Sequence, residues 1–421
     1  MTRMPTRRTS RRTAAISLVV AAMAVVSACA TGTPAPPPGD TPQATSFAPP
    51  FAGTPSVSPP AVGGTARGSL VSVRPLDGNA ELEDVEARVE RVVYRSTDAR
   101  DGSPTEVSGV VAIPPGTPPK GGWPVMAFGH GTTGVLDKCA PSDFSTLVGN
   151  GSMMASMVQS GFAVTLPDFQ GLGVRGYRHP FLDGATYGNN MIDSVRAAHN
   201  LDPSAVSTTW VAFGHSLGGL AAWGAADRDA TYGGGLTLKG TLAMAPPADM
   251  SGMADAAQNG TLTADQRVAM IFALQSLSWT NPTLDINRYR SPSLAQKWDL
   301  LLDCTAPLPD VLKARETVTN ADLKPDTPAD TDRLRALLEQ LAVPKNPVTS
   351  PMLVMFGTKD ELVNWQWTEK AVDQACRIGG TIEIDKRMGE GHGDLESSRG
   401  LPWLKDRIAG QAADNSCPAR T

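Results

Sequence analysis

Short apolar runs rich in β-branched residues alternate with stretches of helical periodicity along most of this chain. The runs are Val89 to Tyr94, Val107 to Ile113, Pro124 to Phe128, Phe162 to Leu166, Thr208 to Phe213, Leu238 to Met244, Met352 to Phe356 and Thr381 to Ile384. Asn189 to Asn200 illustrates the helical stretches: Met191, Ile192, Val195 and Ala198 share a face, and Asp193 and Arg196 are predicted to point away from it. Strands joined through helices run in the same direction and need cover on both faces, so the order implies an α/β fold with a mostly parallel sheet. The first two runs, with no helix between them, are expected to form an antiparallel edge. The alternation stops at Ala245 and resumes near Pro351. Between them, at about 248–346, helical patterns broken by prolines imply an inserted cap. Its apolar set is Met270, Ile271, Phe272, Leu274, Leu277 and Trp279.

The chain of 421 residues does not commit all of its length to that fold. Residues 1–28 carry five arginines, no acid, and an apolar run from Thr13 to Ala28 that is too short for a comfortable membrane span and fits a signal peptide. The run ends Val26-Ser27-Ala28-Cys29, which resembles the bacterial lipobox, and that resemblance implies a lipidated Cys29 anchoring the mature chain to the membrane. Residues 29–68 are rich in Pro, Gly, Ser, Thr and Ala and hold too little apolar surface to offset chain entropy, so a spacer is expected there, with the folded domain at 69–421. Losing the five arginines takes the formal charge from −5 to −10, which argues against a nucleic acid partner. An exported chain has an oxidising environment, and beyond Cys29 it holds Cys139, Cys304, Cys376 and Cys417. Two disulfides are expected; of the three possible pairings, Cys139 with Cys304 and Cys376 with Cys417 is favoured, the latter tying down the C-terminal tail.

Gly214-His215-Ser216-Leu217-Gly218 follows the strand ending at Phe213 and precedes a helix of small residues. A nucleophile on a tight strand-to-helix turn needs glycines two before and two after, where the two elements come close. Only five histidines are present, and His392 alone lies beyond Ser216, in the loop Gly389 to Gly393. Asp360 stands just past the strand Met352 to Phe356; Glu361 is the neighbour most readily confused with it, and Asp394 is a poorer choice because it shares the histidine's loop. Serine, then carboxylate, then histidine is the order of the α/β-hydrolase superfamily, which the chain resembles here. The resemblance implies that Ser216 attacks an acyl carbon, His392 carries its proton and Asp360 orients the imidazole. It also implies an oxyanion hole from the N–H of Leu217 and, in the loop Phe128 to Gly134 that is similar to the family's His-Gly loop, the N–H of Thr132.

The export signal, the His-Gly-Thr loop, the loop Pro167 to Gly173, the long cap and the late Asp and His together resemble the bacterial secretory lipase branch, the lipase A-like group. The implied activity is an exported serine carboxylic ester hydrolase, esterase or lipase. It would take a small-molecule or lipid ester, use no metal or other cofactor, and work at the outer face of the cytoplasmic membrane or as a secreted protein. The same triad serves acyltransferases and peptidases, and a scaffold that only binds is the remaining alternative. Gly171, Gly173 and Gly176 fit a dinucleotide pattern but lack the helix that should open directly after them. Asp322, Asp326, Asp330 and Asp332 lack the glycine and terminal glutamate of a calcium loop and are expected to be solvated.

Overall fold

The computed structural model describes residues 61–418. The expected signal peptide, Cys29 and the spacer up to residue 60 lie outside them. One nine-stranded sheet forms among the described residues: β1 (Leu70–Pro75), β2 (Arg88–Thr97), β3 (Pro104–Ile113), β4 (Trp123–Gly129), β5 (Ala163–Pro167), β6 (Val206–His215), β7 (Thr237–Met244), β8 (Met352–Gly357) and β9 (Ile382–Arg387). Their order across the sheet is β1-β2-β3-β5-β4-β6-β7-β8-β9. Strands β4 to β9 run parallel, and β1, β2 and β3 add an antiparallel edge through β5.

Helices lie between the strands: α1 (Ala80–Glu83) after β1, α2 (Gly151–Gln159) after β4, α3 (Gly184–Leu201) after β5 and α4 (Leu217–Tyr232) after β6. A helical insertion fills the gap between β7 and β8 with α5 (Gly252–Asn259), α6 (Ala264–Thr280), α7 (Pro292–Ala295), α8 (Trp298–Leu302), α9 (Leu308–Glu316) and α10 (Pro328–Leu341). Then α11 (Trp365–Ile378) joins β8 to β9, and α12 (Gly400–Ile408) follows β9.

The two-residue period of the central strands divides the core. Met352, Val354 and Phe356 of β8 face the cluster built on α3, α4 and the insertion, whereas Leu353 and Met355 face the cluster with α2 and α12. Both faces are covered, which is why these strands read as unbroken apolar runs.

Three departures from the sequence reading are physical. Strand β1 was not anticipated, and Val62 to Gly68, assigned by composition to the spacer, meet the sheet: Gly63 N–H donates to Leu70 O (2.9 Å) and Gly68 N–H to Arg95 O (2.8 Å). Asp193 does not point to solvent. It is fully buried and accepts from Ser96 Oγ (2.8 Å), Tyr232 Oη (2.6 Å) and Arg196 Nη1 (2.7 Å), because α3 is enclosed on every side and its charges pair inward. Of the late aspartates, Asp326 and Asp332 are exposed, as expected, but two are not simply solvated. Asp322 accepts from Ser291 Oγ (2.6 Å) and Thr319 N–H (2.9 Å), and Asp330 from Arg288 (2.7 Å), so these two fasten the short helices of the insertion.

Candidate active site

Strand β6 ends at His215, α4 begins at Leu217, and Ser216 is the single residue between them. Its backbone sits at φ 57° and ψ −126°, outside the regions open to an ordinary residue, and is held there by the bond from its N–H to Met244 O of β7 (2.9 Å). The glycines permit the turn. A Cβ on Gly214 would lie 2.1 Å from Gly218 O, and one on Gly218 would lie 1.8 Å from Gly129 O, so any side chain at either place would push the helix off the strands. Ser216 therefore stands at the amino end of a sixteen-residue helix whose first N–H groups favour negative charge.

Asp360 and His392 follow the carboxyl ends of β8 and β9, on the same rim of the sheet. His392 Nδ1–H donates to Asp360 Oδ2 (2.7 Å), which leaves Nε2 to accept from Ser216 Oγ–H (2.8 Å). Asp360 is almost wholly buried, and its other oxygen accepts from the N–H groups of Leu362 and Val363, both at 2.8 Å. Those two bonds aim the carboxylate at the imidazole. Glu361 is exposed, and Asp394 turns to the N–H of Gly391, so neither rival carboxylate meets the histidine.

The histidine loop is tied down on both sides. Lys359 N–H donates to Glu390 O (2.8 Å) and Gly389 N–H to Thr358 Oγ1 (2.8 Å). The residue before Ser216 joins in: His215 Nε2–H donates to the main-chain carbonyl of His392 (2.7 Å), and the two imidazoles lie 5.0 Å apart. Burial first, and then the neighbouring His392, hold the His215 pKa below its ordinary value, so it is neutral at pH 7.

The loop Gly129 to Gly134 leaves the end of β4 beside the turn. Its His130 is buried, packs tilted against Phe169 with ring centroids 4.8 Å apart, and has Nε2 3.3 Å from Asp168 O. Beneath it the buried Asp168 accepts from Ser108 Oγ (2.6 Å) and Ser142 N–H (2.9 Å). At its other end Gly134 packs on Cys139, which is bonded to Cys304 of the insertion; Cys376 is bonded to Cys417. Leu217 N–H is the first of α4, and Thr132 is exposed in the loop.

The sequence reading missed one attachment. Thr263 Oγ1–H donates to Glu361 O (2.6 Å) and Gln266 Nε2–H to Leu362 O (3.2 Å), so the amino end of α6 holds the loop that carries Asp360. Thr263-Ala264-Asp265-Gln266 ahead of an apolar run is a capping box, and that signal was readable.

A cavity of about 240 Å³ opens beside the loop that follows β4, between Val135, Leu136, Arg178, His179 and Trp279. A larger groove of about 550 Å³ lies at the amino ends of the strands, against Trp123 and Gly161, away from the rim that carries Ser216. Among the described residues no group of three or more His, Cys, Asp or Glu could hold a metal ion, and no helix is long and apolar enough to cross a membrane.

A mostly parallel sheet with helices on both faces, a serine on a strand-to-helix elbow and an aspartate and histidine in the loops after later strands define an α/β-hydrolase. The fold superposes on Candida antarctica lipase A in its closed state with a TM-score of 0.67 and 17% identity, covering 85% of this chain and 86% of that one. The family model for secretory lipases matches residues 140–416, and the chain belongs to that family. A secreted triacylglycerol lipase of Malassezia globosa is 24% identical over 355 residues, which is 78% of this chain and 74% of that protein. A Mycobacterium tuberculosis protein named a probable inactive lipase is 24% identical over 341 residues, 76% of this chain and 74% of that one. The chain is thus an exported ester hydrolase of the lipase and carboxylesterase kind.

Proposed function

We propose that hydrolysis proceeds through Ser216, His392 and Asp360 and a covalent acyl-enzyme. Ser216 Oγ bonds to the ester carbonyl carbon as its proton passes to His392 Nε2. The tetrahedral oxyanion is held by the N–H groups of Leu217 and Thr132, and it collapses by releasing the alcohol, which takes the proton back from His392. Water then repeats the sequence on the acyl-serine and frees the carboxylic acid. Asp360 keeps the histidine in the Nδ1–H tautomer and offsets its positive charge. The observation that carries this reading is the unbroken Oγ–H to Nε2 and Nδ1–H to Oδ2 chain at 2.8 and 2.7 Å.

The substrate class that fits is a lipid or small-molecule ester: the family model is that of secretory lipases, and the Malassezia relative is named for triacylglycerol. The Mycobacterium relative's name gives the binding-scaffold reading its one support, and the complete triad weighs against it here. A fluorophosphonate probe separates the two. The parent chain should be labelled and hydrolyse p-nitrophenyl esters, and Ser216→Ala should lose both, by on the order of 10⁴-fold in kcat or more. Hydrolysis persisting in Ser216→Ala would overturn the proposal. Lipidation at Cys29 is part of the same reading, and Cys29→Ala should move the active protein from the membrane fraction to the soluble one.

A further inference from the structure

His392 sits between Gly391 and Gly393 in a loop at the protein surface, where its main chain has little to hold it. Among the described residues the one hydrogen bond made by that main chain is the one its carbonyl accepts from His215 Nε2–H, at 2.7 Å. His215 itself is not free to move. It ends β6, pairs across the sheet with Met244, and is followed directly by the strained Ser216. Two consecutive residues thus grip the base at two points: Ser216 meets the imidazole at Nε2, and His215 meets the carbonyl of the same residue. The grip closes a ring through the backbone of both segments, so the separation of nucleophile and base is set by bonds at two places rather than one.

We propose that His215 is a positioning residue for hydrolysis, its bond to the His392 carbonyl holding the base at hydrogen-bonding distance from Ser216. The acceptor is a carbonyl, so the imidazole has to carry its proton on Nε2. Its neutrality suits the place, because a second cation 5.0 Å from His392 would oppose the imidazolium that forms there during acyl transfer. The inference rests on the triad reading above.

Three variants test it. His215→Leu keeps bulk and removes the donor; His215→Gln puts an amide N–H at nearly the reach of Nε2; His215→Asn puts one near the position of Nδ1, too short to reach. The rate of covalent labelling by a fluorophosphonate reports attack by Ser216 alone, and Tm reports folding. His215→Leu and His215→Asn should label about tenfold more slowly or worse with Tm within a few degrees of the parent, and His215→Gln should recover most of the loss. Labelling at the parental rate in a folded Leu or Asn variant overturns the proposal, as does equal loss in all three. If His215→Leu does not fold, the Gln and Asn pair makes the same comparison. Ser216→Ala marks the separate failure: if it still hydrolyses esters the triad reading falls, whereas an inert Ser216→Ala beside a fully active His215→Leu removes only the role of His215.

Discussion

Asp360 is aimed at His392 by two main-chain N–H groups more than by its place after a strand. Leu362 and Val363 hold one carboxylate oxygen at 2.8 Å each, and the other is left for the imidazole. Asp360→Asn keeps the shape but presents either an amide donor or a weaker acceptor to Nδ1, so the tautomer is lost. kcat should fall by about 10³- to 10⁴-fold at neutral pH. Glu361→Gln, on an exposed side chain, should leave kcat within about twofold; steady-state kinetics that reversed this order would move the acid to Glu361. A second residue tests burial instead. His179 donates from Nδ1–H to Gln170 O (2.9 Å) and accepts from Tyr187 Oη (2.8 Å), and burial pushes its pKa down to about 3. The unfolded histidine titrates near about 6.5. Between those values the unfolded chain takes a proton that the folded chain refuses, so this contribution to stability is full above the unfolded pKa and is lost as pH falls. His179→Gln has no such titration. The stability gap between parent and variant, read from urea midpoints, should shrink from about pH 7.5 to about pH 5, and a gap constant with pH would contradict the buried neutral state. The histidine that meets Ser216 was legible in the sequence because histidines are few and their order decides. The carboxylate that meets it was only narrowed to three, and the direction of main-chain N–H groups separates them.

Helix α6 is attached to the core along its length. Thr263 and Gln266 hold the Asp360 loop, Ser276 donates to His179 O (2.8 Å) and accepts from Phe181 N–H (2.8 Å), and Phe272 meets Phe181 edge to face at 5.7 Å. Phe272 is 6% exposed and Leu274 fully buried, continuous with the main core. Their apolar spacing is also that of a helix whose one apolar face covers a ligand pocket. A helix enclosed by the rest of the insertion on one side and the core on the other has the same spacing, which periodicity alone does not separate. Phe272→Ala should therefore cost about 3 to 5 kcal/mol of stability and reduce turnover of short and long esters alike. The more specific expectation lies at the helix start. Gln266→Met keeps the volume and removes both the cap to Thr263 and the bond to Leu362 O. With the acid loop loosened, kcat should drop about 3- to 10-fold while Tm falls by only a few degrees. Parental kcat in a folded Gln266→Met would show that α6 does not steady the acid. Strands, by contrast, were legible wherever both faces are buried, and β1 was missed because six residues after a Pro- and Gly-rich segment carry too little pattern to stand out.

Across the whole molecule the two disulfides have different tasks. Cys139–Cys304 spans 165 residues of sequence and joins the loop region after β4 to the insertion, with Lys138 and Asp303 paired beside it at 2.6 Å. Cys376–Cys417 spans 41 and holds the tail along β9, where Ser416 N–H donates to Ile382 O (2.7 Å) and Ser416 Oγ accepts from Ile384 N–H (3.1 Å). By loop-closure entropy the two are worth at most about 5 and about 4 kcal/mol, so stability alone barely distinguishes them. Their positions do. Gly134 packs directly on Cys139, and replacing Cys139 and Cys304 by serine frees the loop that should present an oxyanion donor. That pair of substitutions should lower kcat by about tenfold or more as well as Tm. Replacing Cys376 and Cys417 by serine should leave kcat near parental, because neither touches the rim with Ser216. It should instead release the tail from an edge strand whose main-chain groups then face solvent, and edge strands so exposed recruit other chains. Light scattering on heating should accordingly rise earlier for the second pair than for the first, at matched Tm. Loss of activity in the Cys376 and Cys417 variant with no loss in the Cys139 and Cys304 variant would reverse the assignment and place the control of the site at the sheet edge.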